Sequence, residues 1–277
     1  AQRRNAFRPR FWSLFRDLLR FYREAPKALL QPDMRGLTLD EYLRAQRYSR
    51  SFVEGHLLPM AAAIWSSKAE DIRAYPLFAF VRFFESHGLL QLWERPNWRT
   101  VAGGSRAYVG ALLQDFAGQL RLSTPVARVV RDAAGVTVTA RTGQVDQFDA
   151  ILIATHADQA LSMLDAPSAQ ERELLGAFSY TTNTAVLHAD ETYMPRRRKV
   201  WCCWNYISTD HISSENQLCV SYWMNRLQSL EGRDLFVTLN PPADPQQEIA
   251  RFEYTHPLFD SAAIHAQDNL WQIQGQN

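Results

Sequence analysis

The first third of the chain carries apolar residues at helical spacing. Between residues 11 and 22 they recur every three or four positions, which predicts an amphipathic helix. The apolar stripe of that helix consists of Phe11, Leu14, Phe15, Leu18, Leu19 and Tyr22. Thr38 and Glu41 have the spacing of a capping box, so a second helix is predicted to begin at Thr38.

Two longer apolar runs follow. Residues 51–65 are too apolar to be exposed. We expect a buried helix there that is interrupted by Pro59 or begins at it, because proline cannot donate a helical hydrogen bond. Residues 77–90 predict another apolar helix, with Gly88 at its C-terminal end. The pattern therefore predicts that residues 9–97 are helical.

The pattern changes to short strands at Trp98. Residues 100–106 predict the end of a strand, a glycine pair and a helix that Ser105 caps. The apolar positions of that helix are Tyr108, Val109, Leu112, Leu113 and Phe116. Strands are predicted over 124–130 and 135–140, with a hairpin turn at Thr142-Gly143.

The remainder alternates strands, helices and polar loops. Residues 148–154 form a continuous apolar run, typical of a strand that is covered on both faces. A helix is predicted over 156–164. Later strands are predicted over 184–189, 200–207, 218–224 and 235–239. Helices are predicted over 245–252 and 258–273, the second starting near Asp260.

Composition changes the picture only near the N-terminus. Of the 277 residues, 46% are hydrophobic and 21% are charged, as in a soluble globular protein, and the net charge of +1 gives no attraction to nucleic acid. Residues 1–27, however, hold seven Arg and one Lys against one Asp and one Glu, a net charge of +6. The simpler interpretation is a surface helix that packs by its aromatic stripe. A helix lying on a membrane surface is the alternative.

The cysteines and the apolar runs indicate in which cellular compartment the protein is expected. The three cysteines lack C-x-x-C spacing, so neither a zinc site nor a disulfide framework is predicted, and a reducing compartment is the simpler expectation. The longest apolar run, 57–65, is too short to span a bilayer, and no signal peptide is visible. We expect a cytoplasmic location, with peripheral membrane contact left open. Because the chain starts with Ala and lacks a convincing end, we also expect a piece of a longer protein.

The glycines form no independent nucleotide-binding motif. Neither G-x-G-x-x-G nor a Walker loop occurs, and a glycine pair alone is a weak signal. The order of segments is more specific, since a helix and a hairpin separate three characteristic stretches. These are Trp98-Arg-Thr-Val-x-Gly-Gly-Ser-Arg106, Pro125-Val126-x-x-Val129 and Asp149-Ala-Ile-Leu-Ile-Ala154-Thr155.

In this order of segments the chain resembles the flavin amine oxidase superfamily, which includes monoamine and polyamine oxidases and phytoene-type desaturases. The resemblance is strongest to a bacterial group of predicted NAD/FAD-binding proteins, related to the oxidase-like domain fused to some plant cyclopropane fatty acid synthases. It extends over nearly the whole chain. Further matching stretches are Met60-Ala-Ala-Ala-Ile-Trp-Ser66, Ala154-Thr-His-x-Asp-Gln-Ala160, Asn183-Thr-Ala-Val-Leu-His188 and Trp223-Met-Asn-Arg-Leu227.

The resemblance implies a mixed α/β (α+β) fold. A partial FAD domain of the glutathione-reductase type would be interleaved with a substrate domain of mixed β-sheet plus helices. Residues 1–97 would form the helical part of the substrate domain, and residues 98–165 the central elements of the FAD domain. Residues 166–277 would form the substrate-domain sheet with C-terminal helices. The family's N-terminal Gly-rich FAD segment and its C-terminal FAD segment are not found in this sequence.

The resemblance also implies which residues bind FAD. Val126 matches a strand position whose backbone meets the adenine, since a strand edge offers N–H and C=O groups. An ordinary core position is the alternative. Ala154 and Thr155 match a strand end where small residues allow the cofactor to approach. The segment that approaches the flavin is matched by Gly103, Gly104 and Ser105, for which a tight turn with a helix cap is the alternative.

The substrate side is less defined, and no catalytic residue is assigned. Many amine oxidases place a Lys near the flavin, but the three lysines of this chain have no matching context, which argues against amine oxidation proper. Candidates for the wall of a substrate cavity are the aromatic residues Trp204, Tyr206, Tyr222 and Trp223. An ordinary aromatic core is the alternative. No metal site is predicted.

Together these features predict an FAD-dependent oxidoreductase. It would remove hydride from a C–H bond of a small amine or of an apolar, lipid-like substrate, with the flavin carrying the redox chemistry. The missing Lys and the plant fusion relatives favour the lipid-like substrate. The alternative is a catalytically inactive binding protein on the same fold, as in the Rab GDP-dissociation inhibitors, which resemble this superfamily. Nucleic acid is not an expected partner.

Overall fold

The computed structural model describes residues 3–31, 34, 36–207 and 219–275, which form helices and antiparallel sheets. The helices are α1 (Pro9–Ala28), α2 (Leu39–Ala45), α3 (Arg50–Phe52), α4 (Leu58–Trp65), α5 (Ala69–Arg73), α6 (Leu77–Ser86), α7 (Ser105–Gln114), α8 (Ala157–Met163), α9 (Ala169–Gly176), α10 (Met224–Gln228) and α11 (Ser261–Asn269). The strands are β1 (Val126–Asp132), β2 (Gly135–Ala140), β3 (Val145–Phe148), β4 (Tyr180–His188), β5 (Trp204–Tyr206), β6 (Val220–Trp223), β7 (Phe236–Leu239) and β8 (Glu248–Pro257). The prediction of a mixed α+β fold is confirmed.

Local sequence signals explain how two of these helices begin. The Thr38 hydroxyl accepts the Glu41 N–H, and the Glu41 carboxylate accepts the Thr38 N–H at 2.8 Å, which confirms the predicted capping box of α2. Before α4 the chain makes a wide π-helical turn, Val53–Leu57, in which the Leu58 N–H donates to the Val53 carbonyl. Pro59 then lies in the first turn of α4, where a missing N–H costs least. The predicted buried helix is therefore interrupted just before Pro59.

Aromatic rings form the core beneath the helices. Phe21 of α1 is fully buried, and its ring centroid lies 5.5 Å from that of Phe52 and 6.5 Å from that of Phe80. Phe21 is not one of the predicted stripe positions. Within the predicted stripe Tyr22 is buried, whereas Phe11 and Phe15 are exposed. The interpretation that α1 packs by its aromatic stripe is therefore wrong for Phe11 and Phe15.

The strands form a three-stranded sheet in the order β1-β2-β3 and a five-stranded sheet in the order β5-β6-β7-β4-β8. In the first sheet Val129 pairs with Val138, and the β1–β2 register shifts between Val126 and Arg128. In the second sheet Trp204 pairs with Tyr222, which in turn pairs with Val237. The predicted strand at 135–140 and the turn at Thr142-Gly143 are confirmed, as are strands within 184–189, 218–224 and 235–239, although Leu218 lies outside the described residues. Of the predicted strand 200–207, only Trp204–Tyr206 forms a strand, because the chain makes a 3-10 turn over Arg198–Val200.

The chain divides into two compact units. The first unit contains Ala1–Ala111 and Thr181–His256, and the second contains Leu112–Tyr180 and Pro257–Asn277. The first unit thus holds α1–α6 and most of the five-stranded sheet, and the second holds the three-stranded sheet with α8, α9 and α11. The boundaries at residues 97 and 165, with the roles given to each part, stay a prediction.

Several predictions of secondary structure are wrong, and one of them is the helical assignment of 9–97, because residues 91–97 form no helix. Residues 100–102 are not part of a strand, and residues 150–154 follow β3 without forming one, with Leu152 89% exposed. A strand covered on both faces needs neighbouring strands, and the described residues place none beside 150–154. The predicted helix 245–252 does not form: residues 248–252 begin strand β8, because pairing beside β4 outweighs the helical propensity of Glu and Ala.

Candidate functional site

A groove in the second unit brings together three of the residues matched to FAD contacts. Its volume is about 390 Å³. The lining residues are Pro125, Val126, Val129, Arg141, Ile151, Leu152, Ile153, Ala154, Thr155, Gln159, Ser162 and Met163. Val126, Ala154 and Thr155 therefore share one surface, although they are separated by nearly thirty residues in the sequence.

Packing and hydrogen bonds fix the two sides of this groove. Val126 and Ile153 both pack against the small core formed by Val129, Val136 and Leu164. On the far side, the Ala157 N–H donates to the Tyr180 hydroxyl at 2.8 Å, and the His156 ring stacks on that of Tyr180. These contacts hold the turn between Thr155 and α8. Val126 is consequently both a core residue and a groove residue, so the two interpretations of this position do not exclude each other.

The groove offers an apolar wall and a strand edge. β1 is an edge strand, and the register shift after Val126 leaves Ala127 out of the ladder with β2. Such an edge presents backbone N–H and C=O groups that a planar base can bind without a special side chain. The volume also falls within the range of roughly 300–1,000 Å³ that is usual for cofactor pockets. The residues present therefore fit the adenine half of a dinucleotide.

Charge in the groove comes from Arg141, which sequence reasoning missed. Arg141 follows β2 and precedes the Thr142-Gly143 turn, and its backbone N–H donates to the Pro125 carbonyl at 2.8 Å. A guanidinium is suited to bind the paired oxygens of a phosphate. Its position next to a tight turn was the signal available in the sequence, but only the fold places it beside Val126.

The other three predicted cofactor residues lie in the first unit, at the start of α7. Gly103 and Gly104 have φ values of 80° and 74°, in the left-handed region that favours glycine. The Gly104 N–H donates to the Val101 carbonyl at 2.9 Å, which closes the turn before Ser105 begins the helix. The turn interpretation thus holds, and within the first turn of this ten-residue helix the Ala107 N–H already donates to the Gly104 carbonyl at 3.1 Å.

Three of the four candidate substrate residues share one face of the five-stranded sheet. Trp204 and Tyr206 flank the buried Asn205 and are 40% and 41% exposed. Tyr222 lies opposite Trp204, and its hydroxyl donates to the Ala63 carbonyl at 3.4 Å. Burial raises the pKa of both tyrosines. Trp204, Tyr206 and Tyr222, called here the aromatic face, thus remain uncharged at neutral pH.

Trp223 belongs to the opposite face of the sheet. Its ring meets Trp201 edge-on, with centroids 5.2 Å apart, and its indole N–H donates to Asp234 at 2.8 Å. Both Trp201 and Phe236 of this cluster are buried. The arrangement matches the aromatic-core alternative for Trp223.

The same opposite face carries a buried hydrogen-bond chain that the sequence did not indicate. His188 Nδ1 accepts the Asp190 N–H at 3.0 Å, so its Nε2 carries the proton and donates to the Thr238 hydroxyl at 2.7 Å. Thr238 is in turn bonded to the Ser221 hydroxyl. Burial lowers the pKa of His188, which stays neutral at pH 7. These groups satisfy one another, and they stabilise the sheet.

Two absences concern the described residues. Within the described ranges, no cluster of three or more His, Cys, Asp or Glu side chains is arranged to hold a metal ion. None of the helices in that part of the chain combines the length and apolar character needed to cross a bilayer.

Comparison with known proteins identifies the family. The profile of the flavin containing amine oxidoreductases matches residues 7–227. A search of proteins with curated functions gives no match. Among solved structures, a fatty acid isomerase from P. acnes that produces CLA superposes with a TM-score of 0.64 at 12% identity, covering 98% of this chain and 69% of that protein. Wild-type putrescine oxidase bound to putrescine gives a TM-score of 0.54 at 13% identity, covering 95% of this chain and 55% of the oxidase.

Proposed function

Because this chain belongs to the family of flavin containing amine oxidoreductases, we propose that it forms part of an FAD-dependent oxidoreductase that takes hydride from a C–H bond of an apolar, lipid-like substrate. Membership of the family supports FAD as the cofactor. The single observation that supports the position of the binding site is the groove shared by Val126, Ala154 and Thr155. The chain spans 69% and 55% of the two similar proteins named above, so the activity of the whole protein is part of the proposal.

Each unit carries its own set of candidate residues. In the second unit, the β1 edge at Val126 would hold the adenine, with Arg141 near the diphosphate. In the first unit, Gly103 and Gly104 would let the cofactor approach the start of α7. Bound flavin supplies the hydride acceptor, and the residues of the chain bind it, orient the substrate and exclude water. The first unit would carry substrate binding through the aromatic face.

The substrate class is argued from the lysines and from the aromatic face. Lys27, Lys68 and Lys199 are all exposed, and none lies among the residues of the aromatic face. Similar folds serve both substrate classes, since one protein of this fold is a fatty acid isomerase and another is an oxidase bound to putrescine. An uncharged aromatic wall is suited to an apolar chain, which needs no counter-charge. A lipid-like substrate would also bring the protein to a membrane surface.

The cofactor assignment is tested by comparing FAD with FMN, which lacks adenine. Saturation-transfer NMR on the 277-residue chain should show contact to the adenine protons of FAD and a weaker signal for FMN. Ala154→Leu should abolish the adenine signal by filling the groove, whereas Ala169→Leu, at an exposed position in α9 outside the groove, should leave it intact. Equal signals for FAD and FMN, or an unaffected Ala154→Leu variant, would overturn the assignment.

The reaction is tested on flavin-loaded protein without oxygen. Flavin absorbance should bleach on addition of membrane lipid or free fatty acid and persist with simple amines such as putrescine. Bleaching by amines alone would reverse the substrate assignment while leaving the cofactor site in place.

A catalytically inactive binding protein is the second candidate. The exposed positions of all three lysines favour it, because the amine oxidases that it resembles use a Lys near the flavin. Purified protein that shows no flavin absorbance, and takes up none when FAD is added, would support this candidate over the enzyme.

A further inference from the structure

Helix α1 presents a surface of aromatic and basic side chains that the protein interior does not use. One row along the helix contains Phe11, Phe15 and Leu19, spaced four residues apart. The adjacent row contains Trp12, Arg16, Arg23 and Lys27, and Phe7 precedes the helix. This set is called here the basic-aromatic face.

The aromatic side chains of this face point to solvent. Phe7 is 88% exposed, Trp12 is 55% exposed and Phe15 is 41% exposed. The opposite side of α1 is fully engaged, since Phe21 and Ala25 are completely buried. The helix therefore packs against the protein by one side and leaves large apolar rings exposed on the other. Exposed apolar patches of this kind mark interaction sites.

Positive charge surrounds these rings. Residues 1–27 carry a net charge of +6. Among the described residues, Arg4, Arg8 and Arg10 at the N-terminal end of α1 form no ion pair, and neither does Lys27. The acidic residues of the segment are already engaged: Asp17 is buried and accepts the Ser49 N–H, and Glu24 pairs with Arg23. The unbalanced positive charge around this face consequently attracts an anionic partner.

We infer that the basic-aromatic face binds the surface of an anionic phospholipid membrane, with α1 lying in the plane of the headgroups. Trp and Phe rings enter the boundary between headgroups and acyl chains, while arginines bind the phosphates of anionic lipids. A second copy of the chain is disfavoured as the partner, because it would bring another +6 against the same charges. The exposed rings of α1, together with the unpaired Arg4, Arg8 and Arg10 at its N-terminal end, match both layers of a lipid surface.

This inference goes beyond the proposed function and does not depend on it. The face contains none of the residues assigned to FAD or substrate, so membrane binding would persist in protein free of flavin. Loss of flavin binding in Ala154→Leu should leave membrane binding unchanged, and the two proposals therefore fail separately.

Vesicle flotation tests the electrostatic part. The chain should float with phosphatidylcholine vesicles that contain about one third phosphatidylserine and should bind pure phosphatidylcholine far more weakly. Replacing Arg4, Arg8 and Arg10 together by Gln should lower affinity for the anionic vesicles roughly a hundredfold, since each basic residue near the surface contributes about fivefold. The matched control replaces three exposed arginines elsewhere, Arg47, Arg99 and Arg172, and should change affinity little.

Fluorescence quenching tests the insertion of the rings. Lipids with brominated acyl chains should quench tryptophan emission on binding, and Trp12→Phe should remove most of that quenching. Phe11→Ser combined with Phe15→Ser should abolish the binding that survives high salt, while circular dichroism stays that of the wild type because both side chains are exposed. Equal binding to neutral and anionic vesicles, or equal losses in the control variant, would overturn the inference. So would self-association that the Phe11 and Phe15 changes abolish in the absence of vesicles.

Discussion

The ion pair between Arg131 and Glu171 gives the sharpest test of the second unit. Arg131 donates from Nη1 to Glu171 Oε1 at 2.6 Å and from Nη2 to Oε2 at 2.8 Å, a bidentate geometry that joins β1 to α9. Glu171 Oε2 also accepts the Ser168 N–H at 2.7 Å, within a capping box at the start of α9. Glu171→Gln keeps the shape and the cap acceptor, but it removes the charge and replaces the oxygen that accepts from Arg131 Nη1 by an NH2 donor.

The magnitude follows from the pKa of Glu171. Hydrogen bonding from Arg131 lowers it to about 2 from an ordinary value of 4.5, against the opposing effect of burial and with help from Ser168. A displacement of this size corresponds to about 3 kcal/mol of folding free energy. The unfolded chain takes up this proton near pH 4.5 and the folded chain only near pH 2. The stabilisation is therefore complete above pH 4.5 and is lost as the pH falls from there to 2.

We expect Glu171→Gln to lower the free energy of unfolding of the second unit at pH 7 by about 3 kcal/mol. Hydrogen exchange of peptides from β1 and α9, read by mass spectrometry, measures the opening of this unit directly. Urea titrations followed by circular dichroism at pH 7 and pH 3 measure the pH dependence, and the difference from wild type should shrink at pH 3. Asp146→Asn is the control, because its pair with Arg121 is more exposed and screened by water. A loss no larger than that of the control, or one independent of pH, would refute the reasoning.

Three further predictions concern the first unit and its turns. Burial lowers the pKa of His188 from 6.5, so the unfolded chain is protonated at a higher pH than the folded one, and urea titrations should show stability falling as the pH drops below about 6.5. Thr238→Val leaves the His188 Nε2–H without its acceptor and should cost about 1–3 kcal/mol in the same titrations, whereas Thr238→Ser should cost much less. Gly103→Ala at φ 80° should lower thermal stability by roughly 1–2 kcal/mol, while Gly110→Ala in the exposed helix α7 should raise it.

Local signals in the sequence were sufficient to predict those features whose conformation is determined by residues close in the chain. The capping box at Thr38, the turn at Gly143 and the helix start near Asp260 depend on residues within a few positions of one another, and each lies where it was predicted. The helix prediction over 245–252 failed because the conformation of residues 248–252 depends on pairing with β4, about sixty residues away in the chain. No window of the sequence contains that pairing.

The residues of the candidate site also fall into those that the sequence could indicate and those that only the fold reveals. Val126 and Ala154 were found by resemblance to a family, which preserves the order of segments, and the fold then brought them to one groove. Arg141 was not among the residues matched to the family, and a single arginine beside a turn is usually a solvated residue. The exposure of Phe11 and Phe15 was likewise hidden, because an amphipathic pattern predicts that a helix has an apolar face but not what covers it.

The remaining choice between an amine and a lipid-like substrate depends on one carboxylate. Burial raises the pKa of Tyr206, and the charges of Cys219 and Glu70 raise it further. An ammonium group bound at that face would rely on Glu70 and on the aromatic rings, whose attraction for a cation is about 0.5–2 kcal/mol. Desolvation of the ammonium costs several kcal/mol when no buried counter-charge compensates it, and Glu70 is itself exposed. An apolar chain bound at the uncharged rings of Trp204, Tyr206 and Tyr222 would not carry that cost, and this comparison supports the lipid-like substrate proposed above.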